Sequence, residues 1–144
     1  MSEHVLSLSY GKDSLACLGA IEELGLPLDR IVHAEIWATD TIPAELPPMV
    51  EFKKKADTII KGRWGIEVEH FKADITYEQG FYHCIRPETI LRRKEQGRRI
   101  SKYVQYDDER AIWGFPTVMG PWCNSKLKMA AVKKLKNTAG IFLT

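Results

Sequence analysis

A short apolar run, a polar loop bearing one glycine and an amphipathic stripe follow one another in the first 25 residues, and that order constrains the fold most. Val5-Leu-Ser-Leu-Ser9 is too short for a helix and suits a strand. Apolar residues then recur at 15, 18, 21 and 24 on one helical stripe that begins at Ser14, and Gly25 with Pro27 stops it. The alternation repeats. Arg30 to Ala38 reads as a second buried strand, and Pro47 and Pro48 open a helix running through Met49, Phe52, Ala56, Ile59 and Ile60. Ile66-Glu-Val-Glu-His-Phe71 alternates with period two as a third strand. This succession predicts an α/β fold: a doubly wound, mainly parallel sheet with helices on both faces.

Beyond residue 71 the pattern weakens. Residues 76–96 read as helical but interrupted by Pro87, and 97–121 as a long loop with scattered aromatics. A helix is expected over 124–137, with Leu127, Ala130, Ala131 and Leu135 on one side, and a last strand at Ile141-Phe-Leu143. With no repeat and no linker, residues 1–144 are expected to form a single domain. No apolar run approaches the roughly 20 residues that span a bilayer. The opening Met-Ser-Glu-His lacks a basic and an apolar signal region, so a cytoplasmic protein is expected. Three widely spaced cysteines, Cys17, Cys84 and Cys123, exclude a complete disulfide framework and a CxxC zinc site, and fit a reducing compartment. Cys17 is expected in the core, and structural roles are expected for His4, His33 and His70; Cys84 beside His83 offers only two metal ligands.

The net charge of +2 conceals two basic segments. Residues 91–102 (Arg92, Arg93, Lys94, Arg98, Arg99 and Lys102 against Glu95) carry +5, residues 126–136 carry another +5, and the rest of the chain carries −8. Such a distribution suits an anionic ligand, a nucleotide phosphate or a nucleic acid; the alternative is two solvated helix faces. The first segment reads as a lid over phosphates, as a nucleic-acid surface with Tyr103 and Tyr106 available for stacking, or as a solvated loop.

The chemistry concentrates in Ser7-Leu-Ser-Tyr-Gly-Lys-Asp-Ser14, at the first strand-to-helix turn. Gly11 permits a tight turn and a close backbone approach, and the helix start offers unpaired N–H groups to an anion. Lys12 adds a cation, and Ser9 and Ser14 add hydroxyls, with Ser14 the expected helix cap. The loop is neither a Walker A nor a GxGxxG sequence.

Ser9-Tyr-Gly-Lys-Asp-Ser14 resembles the PP-loop of the adenine nucleotide α-hydrolase superfamily, usually Ser-Gly-Gly-Lys-Asp-Ser. Trp37-Ala-Thr-Asp-Thr41 resembles the Asp-Thr-Gly region of the phosphoadenosine phosphosulfate (PAPS) reductase family, and Trp122-Cys-Asn-Ser-Lys-Leu-Lys128 resembles that family's later Trp-Cys block. The resemblance implies a domain that binds PAPS, adenylylsulfate or ATP and acts at its phosphate or sulfate end. Ser7, Ser9, Tyr10, Gly11, Lys12, Asp13 and Ser14 would line the anion pocket, Asp40 and Thr41 would border it, and Lys126 and Lys128 would reach it from the last helix. The adenine would lie along the backbone of Ala34, Glu35, Ile36 and Trp37. Cys123, with Lys12 and Asp13, would carry the chemistry, and a thiol reductant such as thioredoxin would be the partner.

The chain departs from the family pattern at three places. Tyr10 stands where the family has glycine, at a steric cost if positive φ is needed, and otherwise to stack on the ligand or pack under the loop. The family's Glu-Cys-Gly-Leu-His tail does not follow Thr144, and its later strand and glycine-arginine turn do not follow Phe142. The expectation is therefore a domain truncated at its C-terminus or completed by homo-oligomerisation. Cys123 is open to three readings: a thiolate nucleophile, a relic of the paired cysteines of adenylylsulfate reductases, or a small buried hydrophobe. One cysteine builds no iron–sulfur cluster site, so none is expected. An adenylylating ATP pyrophosphatase with Mg²⁺ on the phosphates and a non-catalytic nucleotide-binding module are the alternatives.

Overall fold

The computed structural model describes residues 3–98, 104–107, 110–116, 121–136 and 141–143. Arg99 and Lys102 of the first basic segment, and Tyr103 after it, lie outside them. Strands β1 (His4–Ser7), β2 (Arg30–Glu35), β3 (Val68–Lys72) and, after the intervening elements, Ile141–Leu143 form one parallel sheet. Helices α1 (Lys12–Glu23) and α2 (Pro47–Trp64) connect the first three strands. Short helices α3 (Tyr77–Phe81) and α4 (Pro87–Glu95) follow, then an antiparallel pair β4 (Gln105–Asp107) and β5 (Arg110–Ile112). A single π-helical segment, Asn124–Lys128, runs into α5 (Met129–Lys136), and Ile141–Leu143 is β6.

The strand order is β3-β2-β1-β6, so the chain builds outward from β1 to β3 and returns to the opposite side of β1. The loop leaving β1 thus stands at the point where the winding reverses, where open α/β sheets leave a crevice beyond their strand ends.

The parallel register pairs Leu6 with Ile31 and Ile31 with Val68, which puts these three on one face. Leu18 and Ile21 of α1 and Ala56 and Ile60 of α2 close over that face and form the main core with them. Val5 and Val32 turn to the other face, where Phe71 packs on them, and the Asn124–Lys128 segment meets β2 with Leu127 fully buried.

Four expectations need correction. Leu24 is 71% exposed, because α1 ends at Glu23 and the chain turns at Gly25. In α2, Phe52 and Ile59 point outward and Lys53 points inward with Ala56 and Ile60, so the buried stripe is rotated toward Lys53. Cys17 is exposed rather than in the core. Part of the expected 97–121 loop is the β4–β5 pair, three residues per strand and too short to show in the pattern. Residues 81–85 run beside β5, with Ile85 N–H donating to Ala111 C=O at 2.7 Å and Gly114 N–H to Phe81 C=O at 2.9 Å. Among the described residues no helix is long and apolar enough to cross a membrane.

Candidate functional site

Beyond β1 the chain makes its turn at Tyr10, not at Gly11. Among the described residues Tyr10 is the one non-glycine with positive φ, at 59°, whereas Gly11 lies at φ −73° and ψ 159° as the N-cap of α1. A left-handed backbone costs a residue with a Cβ about 1–2 kcal/mol. Ser14 is therefore not the cap. It sits inside the first turn, its Oγ donating to Gly11 C=O at 3.0 Å and accepting from Ser9 Oγ at 3.0 Å. The first helical bond runs from Leu15 N–H to Gly11 C=O at 3.0 Å, which leaves the amides of Lys12, Asp13 and Ser14 without an acceptor inside the helix. Ser9, Gly11, Lys12 and Asp13 are exposed around these amides, so the loop presents hydroxyls, N–H groups and an ammonium group at one place. Ser7, half-buried at the end of β1, shares the sheet face of Val5 and Val32.

Tyr10 turns away from this surface. Its side chain is 3% exposed and points under the loop, where its hydroxyl donates to Asp57 Oδ1 and lies 3.4 Å from His70 Nε2. Of the two roles open to it, stacking on a ligand or packing under the loop, it takes the second and does not line the exposed surface of the loop. Burial, reinforced by the Asp57 carboxylate, pushes its phenol well above the ordinary tyrosine range.

The groups beneath Tyr10 come from three elements. On β2 the inward positions run Ile31, His33, Glu35, and on β3 Val68, His70, Lys72, so both strands change from apolar to polar toward their C-terminal ends. Lys53 and Asp57, one turn apart on α2, meet them. His33 Nδ1 lies 2.7 Å from Leu8 C=O, an acceptor only, so that nitrogen carries the hydrogen and Nε2 accepts from Lys53 Nζ at 2.7 Å. Burial, with Lys53⁺ alongside, holds the His33 imidazole below the usual histidine range. Lys53, itself buried, also donates to Glu45 Oε1 at 2.6 Å. His70 bridges Glu35 at 2.9 Å and Asp57 at 3.0 Å, and Glu35 accepts from Trp37 Nε1 at 3.0 Å.

Of these groups Glu35, Glu45, Lys53, Asp57 and His70 line a cavity of about 160 Å³, together with Ile36 and Trp37. Three of the four residues expected on the adenine side, Glu35, Ile36 and Trp37, thus flank a cavity; Ala34 precedes them on β2, half-buried. Asp40 and Thr41 are exposed at the tip of a tight loop closed by Ala38 N–H to Ile42 C=O at 2.8 Å and Ala44 N–H to Ile36 C=O at 3.0 Å. Lys72 Nζ stands 4.0 Å over the Trp37 ring.

Cys123 immediately precedes the π-helical segment and is partly exposed. Its neighbour Trp122 belongs to an aromatic group with Tyr77, at 5.2 Å between centroids, and Trp113, at 5.5 Å, and donates from Nε1 to Gly114 C=O at 3.0 Å. Lys126 Nζ stands 5.8 Å over the Trp113 ring, and Lys128 is exposed on the same segment.

Asp57, His70, His33, Lys53 and Glu45 were not singled out from the sequence as site residues. The available signal was polar residues at inward positions of the strands and of the α2 stripe, where an apolar residue is the default. Among the described residues no group of three or more His, Cys, Asp or Glu side chains could hold a metal ion. Comparison of the chain with protein-family models, with curated proteins and with solved structures returns no match.

Proposed function

We propose that this chain is a PP-loop domain similar to PAPS reductases, which binds an adenine nucleotide with its phosphate or sulfate end over the 9–14 loop. The observation that supports it most is the place of that loop: beyond β1, between β2 and β6, where the sheet reverses its winding. There Ser9, the three leading amides of α1 and Lys12 make a concentrated anion site. The cavity beside Glu35, Ile36 and Trp37 supports the same reading, since it supplies walls for a flat base and is linked to the loop by the Tyr10–Asp57 hydrogen bond.

In the reductase form of this reading the Cys123 thiolate takes the sulfonate group from the nucleotide, and a dithiol partner then releases sulfite. In the pyrophosphatase form a nucleophilic oxygen of the substrate attacks the α-phosphorus of ATP and takes the adenylyl group as pyrophosphate leaves, with Mg²⁺ carried by the nucleotide. Lys12 serves both forms by neutralising phosphate charge.

Calorimetric titration with ATP, adenylylsulfate and PAPS tests the binding. Lys12→Ala should weaken the preferred nucleotide by about 1.5–3 kcal/mol, the range for a hydrogen bond to a charged group. Equal affinity in wild type and variant, or no affinity for any of the three, overturns the proposal. Release of sulfite or of pyrophosphate then separates the two chemistries.

A further inference from the structure

We propose that Tyr10 is a positioning residue: its buried ring and its hydroxyl bond to Asp57 hold the 9–14 loop in its anion-binding shape and tie that shape to the cavity lined by Glu35, Asp57 and His70. The inference rests on the nucleotide reading for what the loop holds, and on geometry alone for how the loop is held.

Two pins bracket Ser9. Before it, Leu8 C=O is fixed by His33 Nδ1 at 2.7 Å; after it, Tyr10 is fixed by Asp57. Ser9 itself is exposed, and its Oγ reaches Ser14 at 3.0 Å, so the pins determine where the hydroxyl pair and the next amides point. Both pins lead to the same small group. His33 is held by Lys53, Asp57 by His70, and the Tyr10 ring packs edge-on to His33 at 4.8 Å with Lys53 Nζ 5.1 Å from its centroid.

The positive φ of Tyr10 makes this anchorage necessary. A tyrosine at 59° persists only where its surroundings over-determine it. Without the Asp57 bond the hydroxyl keeps only its longer contact to His70 Nε2, at 3.4 Å, and the ring its packing on His33 and Lys53, so the strongest contact that holds the backbone there is lost. Asp57, Lys53 and His70 also face the cavity, so a molecule that enters it and draws on them acts on the loop through Tyr10. The base and phosphate ends of one nucleotide would then bind cooperatively, by way of a single side chain.

The test uses the full chain with Tyr10→Phe and Asp57→Ala, singly and together, with amide exchange read by NMR and pyrophosphate and ATP as probes. In variants that stay folded by circular dichroism, the amide of Leu15, which is bonded to Gly11 C=O, should exchange roughly tenfold faster or more, and probe affinity should fall by a similar factor, as for a lost hydrogen bond to a charged group. The double variant should be no weaker than the weaker single one, because both remove the same contact. Adenosine alone should shift the 11–14 amides in wild type and not in Tyr10→Phe. Unchanged exchange at Leu15 in both single variants overturns the proposal whatever binds. So does a double variant whose affinity loss is the sum of the single losses. Faster exchange in a protein that binds neither probe leaves Tyr10 as the loop's anchor and overturns the nucleotide reading instead.

Discussion

Replacing Gly11 by alanine separates the needs of the fold from those of a ligand. At φ −73° and ψ 159° the backbone of Gly11 suits any residue, and a Cβ built there has Ser9 Oγ as its nearest neighbour, at 3.4 Å. Two small terms oppose each other. Alanine is a poorer N-cap than glycine by roughly 0.5–1 kcal/mol. It also restricts the unfolded chain, which favours the folded state by about 0.4–1 kcal/mol. Urea denaturation should accordingly place the variant within about 0.5 kcal/mol of wild type, with an unchanged slope. Binding has no such cancellation. The added methyl stands at the mouth of the loop, beside the unpaired amides of α1, where an anion must approach backbone closely. Displacing one charge-assisted contact costs about 1.5–3 kcal/mol, so calorimetry should show affinity for ATP or PAPS falling roughly 10- to 150-fold. Gly11→Val should bind more weakly still. A Gly11→Ala protein of wild-type stability and wild-type affinity would show that no anion lies over this residue.

Gly80→Ala places a Cβ 2.3 Å from Trp122 Cζ3, and the overpacking of about 1–3 kcal/mol should outweigh the helix gain of about 1 kcal/mol; Gly62→Ala, with open space around it, should instead stabilise by about 1 kcal/mol, both read from urea midpoints. Because His33 is held below its ordinary value of 6.5, the unfolded chain takes up a proton that the folded one refuses. Stability should be full above that pH and fall below it by up to about 1.4 kcal/mol per pH unit. His33→Gln, which keeps a donor for Leu8 and an acceptor for Lys53, should remove that part of the acid loss, and an identical profile would exclude His33 as its source. Under the reductase reading Cys123→Ser should abolish sulfite release from PAPS, whereas Cys17→Ser and Cys84→Ser should leave it intact; sulfite release by the Cys123 variant removes that thiol from the chemistry. β6 stands at the edge of the four-stranded sheet, and light scattering at micromolar concentration should return twice the monomer mass if a second copy covers that edge; a monomer refutes it.

The sheet was legible because its signals are local. Val5 to Leu8 and Arg30 to Glu35 are runs that only strands accommodate, and the glycines and prolines between elements mark the turns without tertiary help. The rotation of α2 was not legible. By hydropathy Phe52 and Ile59 outrank Lys53 for burial, yet Lys53 is buried and they are not. The reason is a partner set that no local pattern contains: Glu45 from the preceding loop and His33 from β2 together satisfy a buried ammonium group. The β4–β5 pair was missed for the opposite reason, since three-residue strands carry too little sequence to show a period.

The site divides along the same line. Ser9 to Ser14 was legible as an anion loop because strand, glycine and helix start are contiguous in sequence. The cavity groups were not, because His33 and His70 become neighbours only through the parallel register of β2 and β3, which pairs them directly. Tyr10 joins the two halves and explains why each misleads alone. Read in the loop, it is a bulky residue where glycine is expected, with a backbone cost of about 1–2 kcal/mol. Read from the cavity, it is a buried hydroxyl bonded to a carboxylate, an interaction of about 1.5–3 kcal/mol, attached to an aromatic ring removed from water. These terms together are at least as large as the backbone cost, and the hydroxyl's share of them is lost without Asp57. A loop whose shape depends on an acid on a different element is a loop that the cavity can control.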